Sequence, residues 1–252
     1  MQFSELYGIE LDRELGSADR SQLFTTARRK AAINAGQLEW VKRTECLQKQ
    51  TTITLVSGTQ EYDVEATVTD FIQIAEQGPS IKIVRGTTTR YIEGDDLSLT
   101  SVGRLNVEEP GWRAVSAGTP TTWYVRRDGG TVNVGLHPKP SITAGDTWTL
   151  ITPYVILPAD LSADADEPFT VSANPIKSLR PWHRGLVYFA AFDLEKFRKD
   201  TGRQQAQLQL FDAEVERFLA GEKPKGGQVI RMARIYRQAS TSMSPRRWDP
   251  RT

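Results

Sequence analysis

Few residues in this chain carry chemistry, and those that do are scattered. His137 closes a predicted strand ahead of Pro138, and His183 opens a predicted helix beside Trp182. Each reads as a hydrogen-bonded structural histidine rather than a base or ligand. Asp160, Asp164, Asp166 and Glu167 make an acidic loop with the hard oxygen donors that calcium takes, yet the loop lacks the fixed glycine and terminal bidentate glutamate of an EF-hand. It reads instead as a solvated or subunit-contacting loop. Cys46, the single cysteine, excludes an internal disulfide and any multi-cysteine metal site; inside a predicted helix it reads as a small core residue. Trp112, Trp123, Tyr124 and Trp148 would suit a sugar-stacking platform, although aromatics in a β-region more often form core or subunit contacts. The chain has no phosphate loop, dinucleotide glycine pattern, nucleophile elbow or His-Glu metalloprotease motif. We therefore expect no catalytic residues, no metal ligands and no cofactor.

The other chemical feature is charge. From Gly221 to Thr252, eight Lys or Arg (Lys223, Lys225, Arg231, Arg234, Arg237, Arg246, Arg247 and Arg251) face Glu222 and Asp249, a net of +6. The whole chain is at +1, so the rest is at −5. As a nucleic-acid arm, this segment would pair arginines with phosphates and stack Tyr236 and Trp248 on bases. As a tether, it would dock Val229, Ile230, Arg231, Arg234, Ile235, Tyr236, Arg237, Arg246, Arg247 and Trp248 in a groove of a protein partner and order on binding. The third reading is a disordered, solvated tail; the tether ranks first, because an electrostatic arm has no need of Val229, Ile230, Met232, Ile235 and Tyr236 so close together.

The elements that must position these residues follow from periodicity. Composition is that of an ordinary globular chain (38% hydrophobic, 25% charged), and no apolar run approaches the roughly 20 residues of a membrane helix. The opening Met1-Gln2-Phe3-Ser4-Glu5-Leu6 lacks the features of a signal peptide, so synthesis in the cytoplasm is the default. A long helix is predicted from Leu23 to about Gln48, capped by Asp19 or Ser21, with Leu23, Ala27, Ala31, Leu38 and Val41 on its apolar side. Ala27, Ala31, Ala32 and Ala35 would let another helix approach closely. Arg28, Arg29 and Lys30 occupy its other faces and, with Asp164 and Asp166, are candidate subunit contacts. At Thr51 the period changes to two: residues 52–56 and 61–64 predict a hairpin around Ser57-Gly58-Thr59. Further strands are predicted at 71–74, 81–84, 87–92, 121–125, 131–134 and 147–151, with turns at Gly78-Pro79 and Asp128-Gly129-Gly130. A short helix is predicted over 95–105, capped by Asp95 or Asp96. Trp182, Leu186, Phe189 and Phe197 then share a helical stripe interrupted by Asp193; Leu208, Phe211, Val215 and Phe218 repeat the spacing, and Gly221 with Pro224 closes the second helix.

The fold class read from this pattern is α+β: a helical bundle (a long N-terminal helix plus two C-terminal helices) with an inserted antiparallel β-sandwich or barrel module and an extended C-terminal tail. The divisions are 1–50 for the N-terminal helical part, 51–157 for the β-module, 158–220 for the acidic loop and closing helices, and 221–252 for the basic tail.

The order of these pieces resembles the head-to-tail connector (adaptor) proteins of tailed bacteriophages. The residues that carry the resemblance are Ser57-Gly58-Thr59-Gln60-Glu61-Tyr62-Asp63-Val64, Pro110-Gly111-Trp112, Ala117-Gly118-Thr119-Pro120 running into Trp123-Tyr124-Val125, and Val134-Gly135-Leu136-His137-Pro138-Lys139-Pro140. The acidic stretch Leu161 to Pro168 and Leu186-Val187-Tyr188-Phe189-Ala190-Ala191 follow in the family's order. The resemblance implies a structural virion protein at the head–tail junction, made in the host cytoplasm. About twelve copies would close a ring beneath the portal protein and bind a tail or nozzle protein below. Double-stranded DNA would pass through the lumen without specific binding, and no membrane is involved. The C-terminal extension often climbs onto the portal in this family, and here it is long and arginine-rich, which predicts docking on an acidic portal surface. The competing reading is a nucleic-acid-binding protein that uses the basic tail, and steep salt dependence of DNA binding by the monomer would favour it.

Overall fold

The fold is taken from a computed structural model, in which residues 1–16, 23–76, 80–86, 90–92, 97–171, 174–198 and 201–221 are described. The class is α+β, with helices and mainly antiparallel sheets. An N-terminal helical run comprises α1 (Phe3–Glu5), a wider π-type turn (Leu6–Glu10) and α2 (Leu11–Leu15). The long helix α3 (Thr26–Thr44) starts later and ends sooner than the sequence predicts. Asp19 and Ser21 lie outside the described residues; the cap is Thr25, whose hydroxyl accepts the Arg28 N–H at 3.4 Å. The helix ends where Glu45 turns left-handed (φ 51°), so Cys46 sits after the helix, half-buried against the apolar core.

The buried face of α3 is also rotated from the predicted one. Ala32, Ile33, Gly36, Gln37, Trp40, Val41 and Thr44 are buried, whereas Ala27, Ala31 and Ala35 are exposed. Trp40 sets the phase, because burying one indole removes more apolar surface from water than burying several alanine methyls. Its ring meets Phe169, Trp182, Phe211 and Phe218 at centroid distances of 5.8–6.4 Å. Close helix approach comes from two glycines instead: a Cβ on Gly185 would lie 2.4 Å from the Trp40 ring, and one on Gly36 would lie 3.0 Å from the Leu186 carbonyl.

Helix α5 (His183–Glu195) is central rather than one-sided. Leu186, Val187, Tyr188, Ala190, Ala191 and Leu194 are all buried, because α3 and α6 (Thr201–Gly221) cover one side and the N-terminal run covers the other. Phe197, predicted in its stripe, falls beyond the helix and is 53% exposed. In α6 the predicted Phe211, Val215 and Phe218 are buried, and Leu208 packs against the same core. Pro224 lies outside the described residues.

The chain between these helices forms two sheets. In the first, β1 (Gln48–Thr54) pairs with β9 (Trp148–Ile156), whose other side takes β3 (Phe71–Ile74) and β4 (Lys82–Arg85), with β5 (Arg90–Ile92) beyond β4. In the second, β2 (Glu61–Asp63), β8 (Thr131–His137), β7 (Thr122–Asp128) and β6 (Ser98–Leu99) lie in that order, the last pair parallel. A two-stranded pair, β10 (Thr170–Val171) with β11 (Asn174–Pro175), stands apart. The predicted hairpin of residues 52–56 with 61–64 does not form. β1 and β2 sit in different sheets, because β9, buried along most of its length, offers β1 a seven-residue apolar partner. Tyr62 then holds the link between them, its hydroxyl accepting the Val56 N–H at 3.2 Å. Leu55, Ile83 and Leu150 from one sheet and Tyr62, Val64, Val134 and Leu136 from the other share a single apolar cluster. The predicted turn at Asp128-Gly129-Gly130 does join β7 to β8, with both glycines at positive φ.

The predicted short helix is displaced. Ser98–Leu99 are strand, and α4 (Val102–Glu108) begins after Ser101, whose hydroxyl accepts the Arg104 N–H at 3.1 Å. Asp95, Asp96, Gly78-Pro79 and residues 87–89 lie outside the described residues.

Candidate functional site

The predicted partner-binding residues Val229, Ile230, Arg231, Arg234, Ile235, Tyr236, Arg237, Arg246, Arg247 and Trp248 lie outside the described residues. The candidate subunit contacts do not, and the structure brings two of them, Lys30 and Asp164, together, while Arg28, Arg29 and Asp166 take other partners within the chain. Helix α3 carries Lys30 to Asp164 (2.9 Å), and the Tyr7 hydroxyl donates to the same Asp164 oxygen at 2.8 Å. The Lys30 ammonium also lies over the Tyr7 ring at 4.8 Å and the Phe3 ring at 5.4 Å. Hydrogen bonds from Lys30 and Tyr7 hold the Asp164 carboxyl below its ordinary range, and the same bond to Asp164 raises the Tyr7 hydroxyl. Arg29 reaches Asp12 at 2.7 Å and the Phe24 carbonyl at 2.9 Å, tying α3 to the N-terminal run. Arg28 donates to the Leu23 carbonyl at 2.9 Å and lies 5.0 Å over the exposed Phe197 ring.

The acidic loop has structural work for most of its carboxylates. Asp166 accepts the N–H groups of Ser162 (2.7 Å) and Ala163 (2.8 Å), which hold its carboxyl low. Glu167 takes Arg180 through both its oxygens at 2.8 Å, and that guanidinium lowers it too. The loop backbone receives the N-terminal run, with Phe3 N–H on the Asp166 carbonyl (2.8 Å) and Ser4 N–H on that of Asp164 (3.1 Å). Asn34 and Gln37 of α3 fasten the same segment. Asn34 exchanges bonds with the Leu161 backbone (3.1 and 3.0 Å), while Gln37 donates to the Ala159 carbonyl at 2.9 Å and accepts the Phe169 N–H at 2.8 Å. Sequence reading missed these two amides; their one signal was three-residue spacing in line with Trp40.

The histidines are placed by packing. His137 Nε2 is 2.8 Å from Glu109, with its ring against Trp112. His183 is fully buried, and burial, aided by the Met1 amino group 3.4 Å away, lowers it from 6.5 to about 4. Trp112, Tyr124 and Trp148 are buried and Trp123 packs partly against the β-module core, so they do not form an exposed sugar platform. Among the described residues, no group of three His, Cys, Asp or Glu side chains converges as a metal site, and no helix is long and apolar enough to cross a membrane.

Glu45 is a further residue that the sequence did not flag. Its carboxylate accepts the Glu76 N–H at 2.9 Å and Gln73 Nε2 at 3.1 Å, joining the end of α3 to β3. The helices and the β-module are thus linked by a buried polar clamp. The titratable groups described here position elements rather than converge on a reacting centre.

Against sequence models of known families, the SU10 adaptor protein model matches residues 1–241. No match is found among curated proteins.

Proposed function

This chain belongs to the SU10 adaptor protein family, a family of phage head-to-tail adaptors, and we propose that it acts as a ring of about twelve copies that joins the portal to the tail. The role is structural: a virion component of the head–tail junction in a family that is not one of enzymes. The match over residues 1–241 carries the reading, since it spans the helices, both sheets and the larger part of the basic segment. We read the arrangement as a helical bundle bearing an inserted β-sandwich, with the portal above and a tail or nozzle protein below.

The basic segment anchors the ring to the portal. The 31 residues past Gly221 reach up to roughly 100 Å when extended, enough to leave the subunit and climb a neighbouring protein. Arg231, Arg234 and Arg237 with Ile230, Ile235 and Tyr236 supply charge and apolar anchors for an acidic groove. DNA passes through a lumen formed by the remaining body, whose net charge of −5 disfavours tight phosphate binding. Electron microscopy of the chain mixed with its portal protein is the test. Rings seated on portals are expected, with residues 226–252 needed for seating. Bare portals beside free monomers would overturn the reading, and salt-sensitive DNA binding by those monomers would replace it.

A further inference from the structure

The described strand edges differ in how they are protected. β2 offers three residues and β6 two. β3 carries a register shift between Phe71 and Gln73, and the end of α3 lies against it through Gln73 Nε2 on the Lys42 carbonyl (3.3 Å) and the Glu45 clamp. Shortness, irregularity and cover are the usual means by which a sheet avoids recruiting another chain. Over residues 50–54, β1 has none of them among the described residues. It runs seven residues in unbroken register with β9, contains no proline, and its one cation, Lys49, is tied to Asp70 at 2.6 Å.

The two bonds that flank β1 define which way its backbone groups point. The Leu47 carbonyl accepts the Ile156 N–H at 3.0 Å and the Leu55 N–H donates to the Trp148 carbonyl at 2.8 Å. Odd positions therefore bond to β9, and even positions aim their N–H and C=O away from the sheet. Gln50, Thr52 and Thr54 are exposed and display that row, with no strand on their outer side among the described residues. A second open stretch lies in the other sheet. β6 pairs only with Thr122 and Trp123, and the Thr100 N–H on the Trp123 carbonyl (2.8 Å) shows that odd residues of β7 face that side. Beyond it, Val125 and Arg127 aim their backbone groups outward. An exposed valine accompanies each edge: Val56 (58% exposed) after β1 and Val125 (36%) in β7.

We infer that the outer edge of β1 is an interface between copies of this chain, residues 50–52 of one copy pairing antiparallel with residues 125–127 of the next, so that Thr52 lies opposite Val125 and Gln50 opposite Arg127. The inference rests on the ring reading above. A ring closes when one patch meets a different patch on the next copy, whereas β1 against β1 would stop at a dimer. Two unlike open edges, in two different sheets, meet that condition. The uncharged Gln50 and Thr52 oppose Arg127 and Val125 without like-charge repulsion, and backbone bonds supply the contact.

Thr52→Pro and Arg127→Pro each remove one outward N–H while leaving the bonds to β9 and β8 in place. Each is expected to retain cooperative unfolding and to need at least about tenfold more protein to form rings on portal. In a Cys46→Ser background, Thr52→Cys combined with Val125→Cys is expected to give a ladder of disulfide-linked oligomers under mild oxidation, and neither cysteine alone should give a linked dimer. That pair decides the matter if a proline variant fails to fold. Wild-type rings, proline-variant rings at the same concentration and no ladder would overturn the edge pairing while leaving the ring reading intact. Absence of wild-type rings would overturn the ring reading itself. A disulfide-linked dimer from Thr52→Cys alone, or loss of portal or tail-protein binding with rings unimpaired, would assign the edge to another partner and overturn the proposal.

Discussion

The helical side and the β-module solve the packing problem in opposite ways. Around Trp40, four aromatic rings and two glycines interlock, and the polar residues of α3 that face inward are bonded within the chain. In the β-module, the apolar cluster between the sheets is equally closed, yet backbone groups at the rims of β1 and β7 point outward. A helix satisfies its backbone internally, so its specificity lies in side-chain fit; an open sheet leaves two edges. The helical side is suited to hold a fixed platform, and the β-module to meet neighbours.

The sharpest way to break this contrast is Trp40→Ala, expected to cost about 4 kcal/mol in denaturant unfolding because it empties the centre of the aromatic cluster. If the Glu45 clamp makes one cooperative unit of the two regions, both far-UV circular dichroism and the fluorescence of the remaining tryptophans will shift together. Separate midpoints would make the β-module an independent domain. Acid acts next. His183 titrates near 6.5 in the unfolded chain but near 4 when buried, so the unfolded state takes up the proton first. Stability is full above pH 6.5 and falls as pH drops toward 4, by up to about 3 kcal/mol. Glu167 and Arg180 also act on this imidazole, in opposite senses. A His183→Gln chain should lose most of that slope; an unchanged slope would refute the assignment.

On the β side, Gly135→Ala would place a methyl 2.0 Å from the Tyr124 ring, and overpacking of that kind costs about 2 kcal/mol. The loss should appear as a lower midpoint with the helical signal following it. The smallest effect is expected for Asp164→Asn, which weakens the exposed contacts with Lys30 and Tyr7. Its shift in Tm should be the least of the four and should fade in high salt; a larger shift would make the N-terminal clasp a structural keystone.

Much of this was legible because the signals were local. The change from helix to strand, the Asp128-Gly129-Gly130 turn and the Phe211, Val215, Phe218 stripe each depend on residues a few positions apart; the turn and the stripe appear as predicted, while the strand begins at Gln48 rather than Thr51. The candidate contacts Lys30 and Asp164 were flagged by charge, but their meeting across 134 residues was not. The tether residues were likewise flagged by composition, and they lie beyond the described chain.

The sequence alone determined the α+β class, the alternation of helical and strand segments, the lack of any clustered catalytic motif, and the charge contrast between body and tail. Hydrophobic period, turn chemistry and net charge are properties of neighbours along the chain. Tertiary structure alone decided which face of α3 is buried, that β1 and β2 part into separate sheets, that α5 is enclosed on both sides, and that Glu45, Asn34 and Gln37 act as clamps. Each of those depends on competition among distant partners for the same surface, where the largest apolar area and the unsatisfied backbone group prevail over local pattern.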